Sequence, residues 1–407
     1  MIPSGTDLFP AELDVDLDAL AANAHKLKEY AGEAELLAVV KANGYGFGRY
    51  EVASRLWHEG VHWFGVSKLP EALALRKHFT SSDIPPEQAR ILTWLETPTT
   101  AWVDAVESDI DVSVSDRRQL GQVVSAVRSL RSRGVSQDAA RVHLKIDVGM
   151  GRGGATLDDL PELARAVRDA TRANEVELVG FWSHLSCADD PEGAGAEVTQ
   201  RQIEVYQQGL EVLALLGLEP EIRHLAATSG TIWHPGAHFD MVRPGIGLYG
   251  YSPSVEVASS KELGLRPVGV LRTPIIQVKR VDPGHTVSYG ATWTSPDRHW
   301  IGLLPIGYAD GIPRQISNQA DFLIETQDER IPTRILGRVC MDQMVIDLGA
   351  GEEPTAVVGD SVILFGDPVR GEPSADNWAD LAETINYEII SRLPEHIDRR
   401  YHPGVAE

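Results

Sequence analysis

The sequence predicts an α/β protein of two domains: a (β/α)8 barrel of the TIM type over residues 12–250, then a mainly-β domain over residues 251–407. Three observations lead to this prediction. Short apolar runs alternate with segments of helical periodicity about eight times before residue 250, which is typical of a parallel barrel. After Tyr251, short strands separated by Gly, Pro and Asp turns replace that pattern. The chain of 407 residues is also too long for one ordinary core.

Each predicted strand of the barrel is a short run rich in aliphatic and aromatic residues. The runs cover residues 36–40, 62–67, 91–95, 110–114, 142–147, 176–181, 222–226 and 241–243. Apolar residues at helical spacing occupy residues 16–28, 50–59, 71–78, 100–106, 119–131, 160–174 and 200–216. Because the number of strands does not show whether the sheet closes, an open doubly wound sheet is the alternative.

The second domain is predicted to consist of strands followed by a helical tail. Its strands are expected at residues 270–280, 300–305, 322–325, 345–348 and 361–365. One long amphipathic helix is expected at residues 378–390.

The composition indicates a cytoplasmic enzyme. A formal charge of −22 argues against nucleic acid or an anionic membrane as a partner. No apolar run approaches the ~20 residues that span a bilayer, and no basic region followed by an apolar core opens the chain. Only two cysteines are present, Cys187 and Cys340, which fits a reducing compartment. No metal site is predicted.

The first barrel strand leads directly to a lysine. The apolar run at residues 36–40 ends on Lys41, and a glycine-rich turn containing Tyr45 follows. In α/β folds the active site gathers at the carboxyl ends of the strands. A partly desolvated lysine amine there loses its proton easily, as a Schiff-base nucleophile must. The alternative is a solvated lysine at the end of a strand.

Other polar residues follow the ends of later strands. They are Lys145 within the fifth strand and Arg152 after it, His184 after the sixth, Thr228 after the seventh, Arg243 at the end of the eighth and Gly245 after it. Loops after strands seven and eight often bind phosphate in this barrel. A lysine, a phosphate site and an arginine for a ring nitrogen together indicate pyridoxal phosphate. Each residue also has a structural alternative, such as an Arg243–Asp240 ion pair.

Three compact motifs in the second domain carry further candidates. They contain Tyr289 at residues 286–290, Tyr308 at residues 307–311 and Met341 at residues 339–343. A tyrosine acts as an acid or base if nearby cations lower its pKa. A structural tyrosine that bonds across a turn is the alternative.

With these motifs the chain resembles the alanine racemases, pyridoxal-phosphate enzymes with an N-terminal barrel and a C-terminal β domain. The resemblance extends over nearly the whole length and depends on motifs that occur in the family's order. They are VVKANGYGFG, HLKIDVGMGR, MVRPGIGLYG, VSYGATW, GYADG and VCMDQM. The resemblance implies interconversion of L- and D-alanine, with D-alanine supplied to peptidoglycan.

The resemblance also implies two catalytic bases. Lys41 would carry pyridoxal phosphate as a Schiff base and act on the α-hydrogen of the D-enantiomer. Tyr289 would be the opposing base, contributed by the partner subunit of a head-to-tail homodimer with shared active sites. Two bases on opposite faces of a planar intermediate explain inversion, because one removes a proton and the other returns one.

The remaining roles implied by the resemblance concern binding. The phosphate would be held by Tyr45, Thr228, Gly245, Ile246 and Tyr387. Arg243 would face the pyridine nitrogen and leave it unprotonated, because arginine keeps its own proton, and His184 would link Arg243 towards the tyrosine. Arg152 and the backbone N–H of Met341 would bind the substrate carboxylate, with Tyr308 at the entrance. Lys145, commonly carbamylated in relatives, would position Arg152, and Asp342 would help to set the geometry.

Two departures and several alternatives stand beside this interpretation. Phe47 replaces a histidine found in many relatives, and Ala227-Thr228 replaces an Asn-Ser pair, which keeps the hydroxyl but loses the amide. A broader-range or serine racemase is the first alternative, because a methyl pocket rejects an added hydroxyl only weakly. Barrel decarboxylases and D-threonine aldolases rank lower, because the chain contains the combined VSYGATW and CMDQM motifs. The β domain and Tyr289 argue against a non-catalytic cofactor carrier.

Overall fold

A parallel sheet organises the first half of the chain. The computed structural model describes residues 10–135 and 138–402. A first strand, β1 (Glu12–Asp16), belongs to another sheet and precedes the eight parallel strands seen in this described part. These are β2 (Glu35–Val39), β3 (Trp63–Val66), β4 (Arg90–Thr93), β5 (Asp111–Val114), β6 (Ala140–Lys145), β7 (Val176–Trp182), β8 (Ile222–His224) and β9 (Met241–Val242).

The sheet closes on itself. Its order is β8-β7-β6-β5-β4-β3-β2-β9, and its ends meet through a parallel bridge between Ala227 and Arg243. The Arg243 N–H also donates to the Ala226 carbonyl at 2.9 Å, and the Asp240 N–H donates to the Arg223 carbonyl at 3.0 Å. The predicted barrel is therefore confirmed, and the open sheet is excluded.

Helices surround the barrel because each has one apolar face. They cover Leu17–Ala31, Arg49–His58, Leu69–Ser81, Trp102–Glu107, Arg117–Ser132, Leu160–Arg172, Ala194–Leu215 and Thr228–Trp233. In Leu160–Arg172, for example, Leu160, Leu163, Ala164 and Val167 are buried, which is the spacing of one helix face. Within the described ranges, none of the helices has the length and apolarity that crossing a bilayer requires.

The second half of the chain is mainly β, as predicted. Its strands are β10 (Gly269–Pro274), β11 (Gln277–Val281), β12 (Thr286–Val287), β13 (Trp293–Thr294), β14 (His299–Leu304), β15 (Asp321–Glu325), β16 (Arg330–Arg334), β17 (Met344–Asp347), β18 (Ser361–Phe365) and β19 (Asp398–His402). Among the described residues they form sheets in the orders β16-β15-β18-β10-β1-β19, β11-β14-β17 and β12-β13.

Two predicted elements of this half were wrong in detail. The expected strand at 270–280 is two strands in different sheets, and Pro274, which has no N–H to donate, ends the first of them. The expected helix at 378–390 is two helices, Ala375–Leu381 and Asn386–Ser391. Glu383, with a φ of 54°, separates them, because a left-handed residue cannot continue a right-handed helix.

The strand β1 joins the two halves. It pairs antiparallel with β10 and parallel with β19, so that Leu13 lies between Leu271 and Arg399. The first strand of the chain is therefore a member of the sheet formed by the C-terminal half. The domain boundary near Gly250 stays a prediction.

His299 in β14 is expected to make stability depend on pH. Its Nδ1 lies 3.0 Å from Asp297 Oδ1 and its Nε2 lies 2.7 Å from Asp347 Oδ1. Burial lowers the pKa of His299, but the two carboxylates more than offset it, and the pKa is raised above 6.5. Protonation therefore stabilises the fold: the contribution is complete below about pH 6.5 and is lost as pH rises through the folded-state pKa.

The measurement is chemical unfolding of wild type and His299→Gln at pH 5.5 and pH 9. We expect the variant to lose about 1.5–3 kcal/mol at pH 5.5, the usual range for hydrogen bonds to charged groups, and clearly less at pH 9. His402→Gln is the control, because His402 makes a single exposed pair with Asp14. An equal difference at both pH values would contradict this account.

Candidate active site

Lys41 lies at the carboxyl end of β2 and opens an unusual left-handed turn. The next residues have positive φ angles: 53° at Ala42, 54° at Asn43, 61° at Gly44 and 54° at Tyr45. For each residue other than glycine, this left-handed conformation costs about 1–2 kcal/mol of conformational free energy. Glu71 holds the turn, because its Oε1 accepts the Ala42 N–H at 2.9 Å. Sequence reasoning did not identify this role of Glu71.

The mouth of the barrel is strongly cationic although the chain has a formal charge of −22. Burial lowers the pKa of His184 well below its ordinary value, and four cations lower it further: Arg243, Arg152, Lys145 and Lys41. Burial and Arg152 also lower the pKa of Lys41, although Glu71 opposes the effect. The predicted cationic residues are thus brought together at one place, which suits an anionic ligand.

The residues predicted to bind phosphate lie together beside this mouth. The Gly245 N–H donates to Thr228 Oγ1 at 3.0 Å. A Cβ added at Gly245 would lie 2.4 Å from Tyr45 Oη, so only glycine fits there. The ring centroids of Tyr45 and Tyr387 are 6.3 Å apart, and Ile246 is buried directly after Gly245. Hydroxyls and backbone N–H groups gathered in this way suit a phosphate.

Arg243 is buried and held by acceptors on several sides. Its Nη2 donates to the carbonyls of Ser183 at 2.6 Å and Leu225 at 3.1 Å, and lies 3.5 Å from His184 Nδ1. Its Nη1 lies 3.2 Å from Nδ1 of His224, a residue that sequence reasoning missed. Among the described residues, no acceptor binds the Arg243 Nε–H, which leaves this donor for a ligand.

The ion pair considered for Arg243 does not form. Asp240 Oδ2 instead accepts from Arg223 Nε at 2.7 Å. The Arg243 guanidinium lies over the ring of Trp182 at 4.9 Å, and the Lys145 amine lies over the same ring at 4.4 Å. Burial lowers the pKa of Arg243 to about 10, so Arg243 stays protonated at neutral pH.

A second cluster lies on the surface of the C-terminal half. Tyr289 is 73% exposed, Tyr308 43% and Met341 54%, which is high for large apolar side chains. The residues flanking the Tyr289 turn are strained, since φ is 62° at Ser288 and 47° at Ala291. Within the described part of the chain, no hydrogen bond, ion pair or ring contact joins this cluster to Lys41, so one chain presents two separate sets of predicted residues.

Comparisons with known proteins match both halves. The sequence model of the alanine racemase N-terminal domain matches residues 15–253, and that of the C-terminal domain matches residues 268–401. The alanine racemase of Beutenbergia cavernae is 42% identical over 396 residues, covering 97% of this chain and 99% of the relative. This chain belongs to the alanine racemase family.

Solved structures agree with that assignment. The crystal structure of alanine racemase from D-cycloserine-producing Streptomyces lavendulae matches with a TM-score of 0.89 and 38% identity, covering 98% of this chain and 99% of that one. The alanine racemase of Streptomyces coelicolor A3(2) matches with a TM-score of 0.89 and 40% identity, covering 96% and 98%. The protein is an amino-acid racemase of this family.

The two departures of this racemase lie beside the residues predicted to bind phosphate. Phe47 is fully buried and stacks on Tyr249 at 5.4 Å, while Tyr249 stacks on Tyr45 at 4.8 Å. A Cβ at Gly269 would lie 2.2 Å from Phe47 Cε1, so the ring fills a slot that a glycine leaves open. Phe47 therefore supports Tyr45 by packing. Ala227 occupies the N-cap position of Thr228–Trp233 and supplies no side-chain cap.

Proposed function

We propose that this racemase interconverts L-alanine and D-alanine with pyridoxal phosphate as its cofactor. The observation that carries the proposal is the convergence at one barrel mouth of Lys41, the Thr228–Gly245 site and the buried Arg243. Burial and Arg152 lower the pKa of Lys41, which favours the neutral amine that a Schiff-base nucleophile requires. The family membership and the alanine racemases among its relatives support the same reaction.

The residues present fit this cofactor. Tyr45, Thr228, Gly245, Ile246 and Tyr387 would hold the phosphate, and the missing side chain of Gly245 lets the Tyr45 hydroxyl approach the Thr228–Gly245 pair. The Nε–H of Arg243 would donate to the ring nitrogen, and Lys41 would supply the amine that holds the cofactor. When bound, pyridoxal phosphate withdraws electrons from the α-carbon of the amino acid, which makes its hydrogen acidic.

Two bases would then move the α-proton. The Lys41 amine would serve the D-enantiomer on one face, and the Tyr289 hydroxyl of a partner subunit would serve the L-enantiomer on the other. The high exposure of Tyr289 on its own chain supports a head-to-tail homodimer with shared sites. Tyr308 is similarly exposed and would border the entrance of the partner's site.

Substrate binding would depend on Arg152 and Met341. The Met341 N–H has no acceptor among residues 10–135 and 138–402, so it remains available to a carboxylate. Burial is the main reason that the pKa of Lys145 falls to about 8, which provides the neutral amine that carbamylation requires. Carbamylation of Lys145, the part played by Asp342, a cytoplasmic location and a peptidoglycan role stay predictions.

The test is a visible absorption spectrum of the protein with added cofactor, followed by polarimetry with L-alanine and L-serine. We expect an absorption band and a kcat/KM for L-alanine at least about tenfold above that for L-serine, because one hydroxyl changes pocket affinity by this order. A preference for serine would favour the broader-range racemase. A bound cofactor with no turnover of either amino acid would refute the proposal.

A further inference from the structure

A chain of hydrogen bonds runs from Arg243 through the barrel interior towards the opposite end. Arg243 Nη1 lies 3.2 Å from His224 Nδ1, and His224 Nε2 lies 2.9 Å from His143 Nδ1. His143 Nε2 lies 3.1 Å from Asp111 Oδ2. Both histidines and Asp111 are 0% exposed, and Arg243 is 4% exposed. Buried networks of this kind are sensitive to the position of every proton.

The groups at the two ends of this hydrogen-bond chain determine which atom donates in each of its bonds. A guanidinium has only donors, so His224 Nδ1 must accept from Arg243. A histidine whose Nδ1 accepts a hydrogen bond is neutral and carries its one proton on Nε2. Burial also lowers the pKa of both histidines, which favours the same neutral form. His224 therefore carries its proton on Nε2 and donates to His143 Nδ1. By the same reasoning, His143 carries its proton on Nε2 and donates to Asp111.

Asp111 can only accept. Its Oδ1 accepts from Arg141 Nε at 2.8 Å and Arg90 Nε at 3.2 Å. Its Oδ2 accepts from Arg90 Nη2 at 2.5 Å and from His143. Burial raises the pKa of Asp111, but His143, Arg141 and Arg90 together hold it well below its usual range. All four acceptor positions of an ionised carboxylate are therefore occupied by donors.

Aromatic rings fix the planes of the two imidazoles. The Trp182 ring lies parallel to His224, with an angle of 1° between their planes and 5.7 Å between centroids. Trp63 meets His143 edge-on at 5.8 Å. Ring flips would break this packing, so the hydrogen-bond order set by Arg243 and Asp111 is also sterically enforced.

We propose that Asp111 and His143 are positioning residues that fix the tautomer of His224 and thereby hold the Arg243 guanidinium in place. With the opposite tautomer, His224 Nδ1–H would point at Arg243 Nη1–H, and two donors at 3.2 Å repel each other. Arg243 would then move away from its present position. The tautomers follow from the structure alone, whereas the effect on the cofactor's ring nitrogen rests on the proposed function.

The first test is nitrogen NMR of the full-length protein with 15N-labelled histidine, recorded without cofactor. His143→Gln and His224→Gln identify the two signals by their disappearance. We expect both rings to be neutral with the proton on Nε2. An Nδ1–H tautomer or an imidazolium at either position would overturn the proposal, whatever cofactor the protein binds.

The second test compares Asp111→Asn with Asp109→Asn. An amide at position 111 offers two N–H donors to residues that are themselves donors. The hydrogen-bond chain from Arg243 to position 111 then no longer has a fixed order of donors and acceptors. Asp109 is the matched control, because its Oδ1 accepts from the same Arg141 at 2.7 Å but has no bond to His143. We expect Asp111→Asn to disturb the His224 tautomer and to lower kcat for alanine racemisation at least tenfold, while Asp109→Asn changes neither.

The outcomes separate the two proposals. If both variants keep the His224 tautomer and the same kcat, Asp111 is not a positioning residue. If Asp111→Asn fails to fold, the wild-type histidine signals alone decide. If the protein binds no pyridoxal phosphate, the proposed function fails while the tautomer measurement still stands.

Discussion

Replacing Lys41 with alanine is expected to abolish both the visible absorption band of the bound cofactor and racemisation in either direction. The other lysine amine of the cationic mouth, that of Lys145, lies over the Trp182 ring. The covalent anchor and one base would therefore be lost together. General acid–base groups alone contribute about 10²–10⁴-fold, so we expect kcat to fall at least about a thousandfold. Absorption spectroscopy and polarimetry from both enantiomers measure the two effects.

The matched control is Lys68→Ala. Lys68 also lies between a barrel strand, β3, and a helix. It is the N-cap residue of the helix Leu69–Ser81, and it is exposed. This variant should keep the band and the rate. A Lys41→Ala protein that kept its band would show that another group holds the cofactor.

Replacing Tyr289 with phenylalanine is expected to keep the absorption band and to lower the L-to-D rate by about 10²–10⁴-fold. Only the hydroxyl is lost, and the ring still fills its place. Lys41 would still remove and return a proton on its own face. In D2O, the variant should therefore exchange the α-hydrogen of D-alanine without converting it to L-alanine, which proton NMR and polarimetry detect separately.

Tyr308→Phe is the control for this variant, because Tyr308 belongs to the same exposed cluster but is not assigned a proton transfer. Mixed dimers of Lys41→Ala and Tyr289→Phe chains test whether sites are shared. If Tyr289 comes from the partner, each mixed dimer contains one intact site of its two. Since random pairing makes about half of the dimers mixed, co-expression should restore about a quarter of wild-type activity. No recovery, or an unchanged L-to-D rate in Tyr289→Phe, would contradict the two-base assignment.

Local patterns were enough to predict the barrel. Its strands are continuous apolar runs buried on both faces, so the run at residues 36–40 was recognisable and placed Lys41 at the mouth. The C-terminal half was less predictable. The strands β12 and β13 contain two residues each, too few for any periodicity. The partners of β1 follow it by more than 250 residues, and no local signal reveals such a pairing.

The sequence predicted the residues assigned to the chemistry of the site, but it did not predict all of the residues that hold them in place. The ends of strands indicated Lys41, Arg152, Thr228 and Arg243, because parallel strands bring their ends together. Glu71, His143 and Asp111 gave no such signal. His143 is 32 residues from Asp111 and 81 from His224, and only barrel closure aligns their side chains. The alternation of side chains along a strand could have predicted part of this network, since His143 and Lys145 point to the same face of β6.

The pairing of β1 with β10 and β19 also determines the order in which the protein can be completed during translation. The ribosome synthesises β1 first, but its neighbours begin at Gly269 and Asp398. A nascent chain of barrel length can close the parallel sheet while this strand lacks both partners, and unpaired strand edges promote aggregation. Residues 398–402 therefore complete the sheet to which residues 12–16 belong, which makes the pairing of β1 depend on β19.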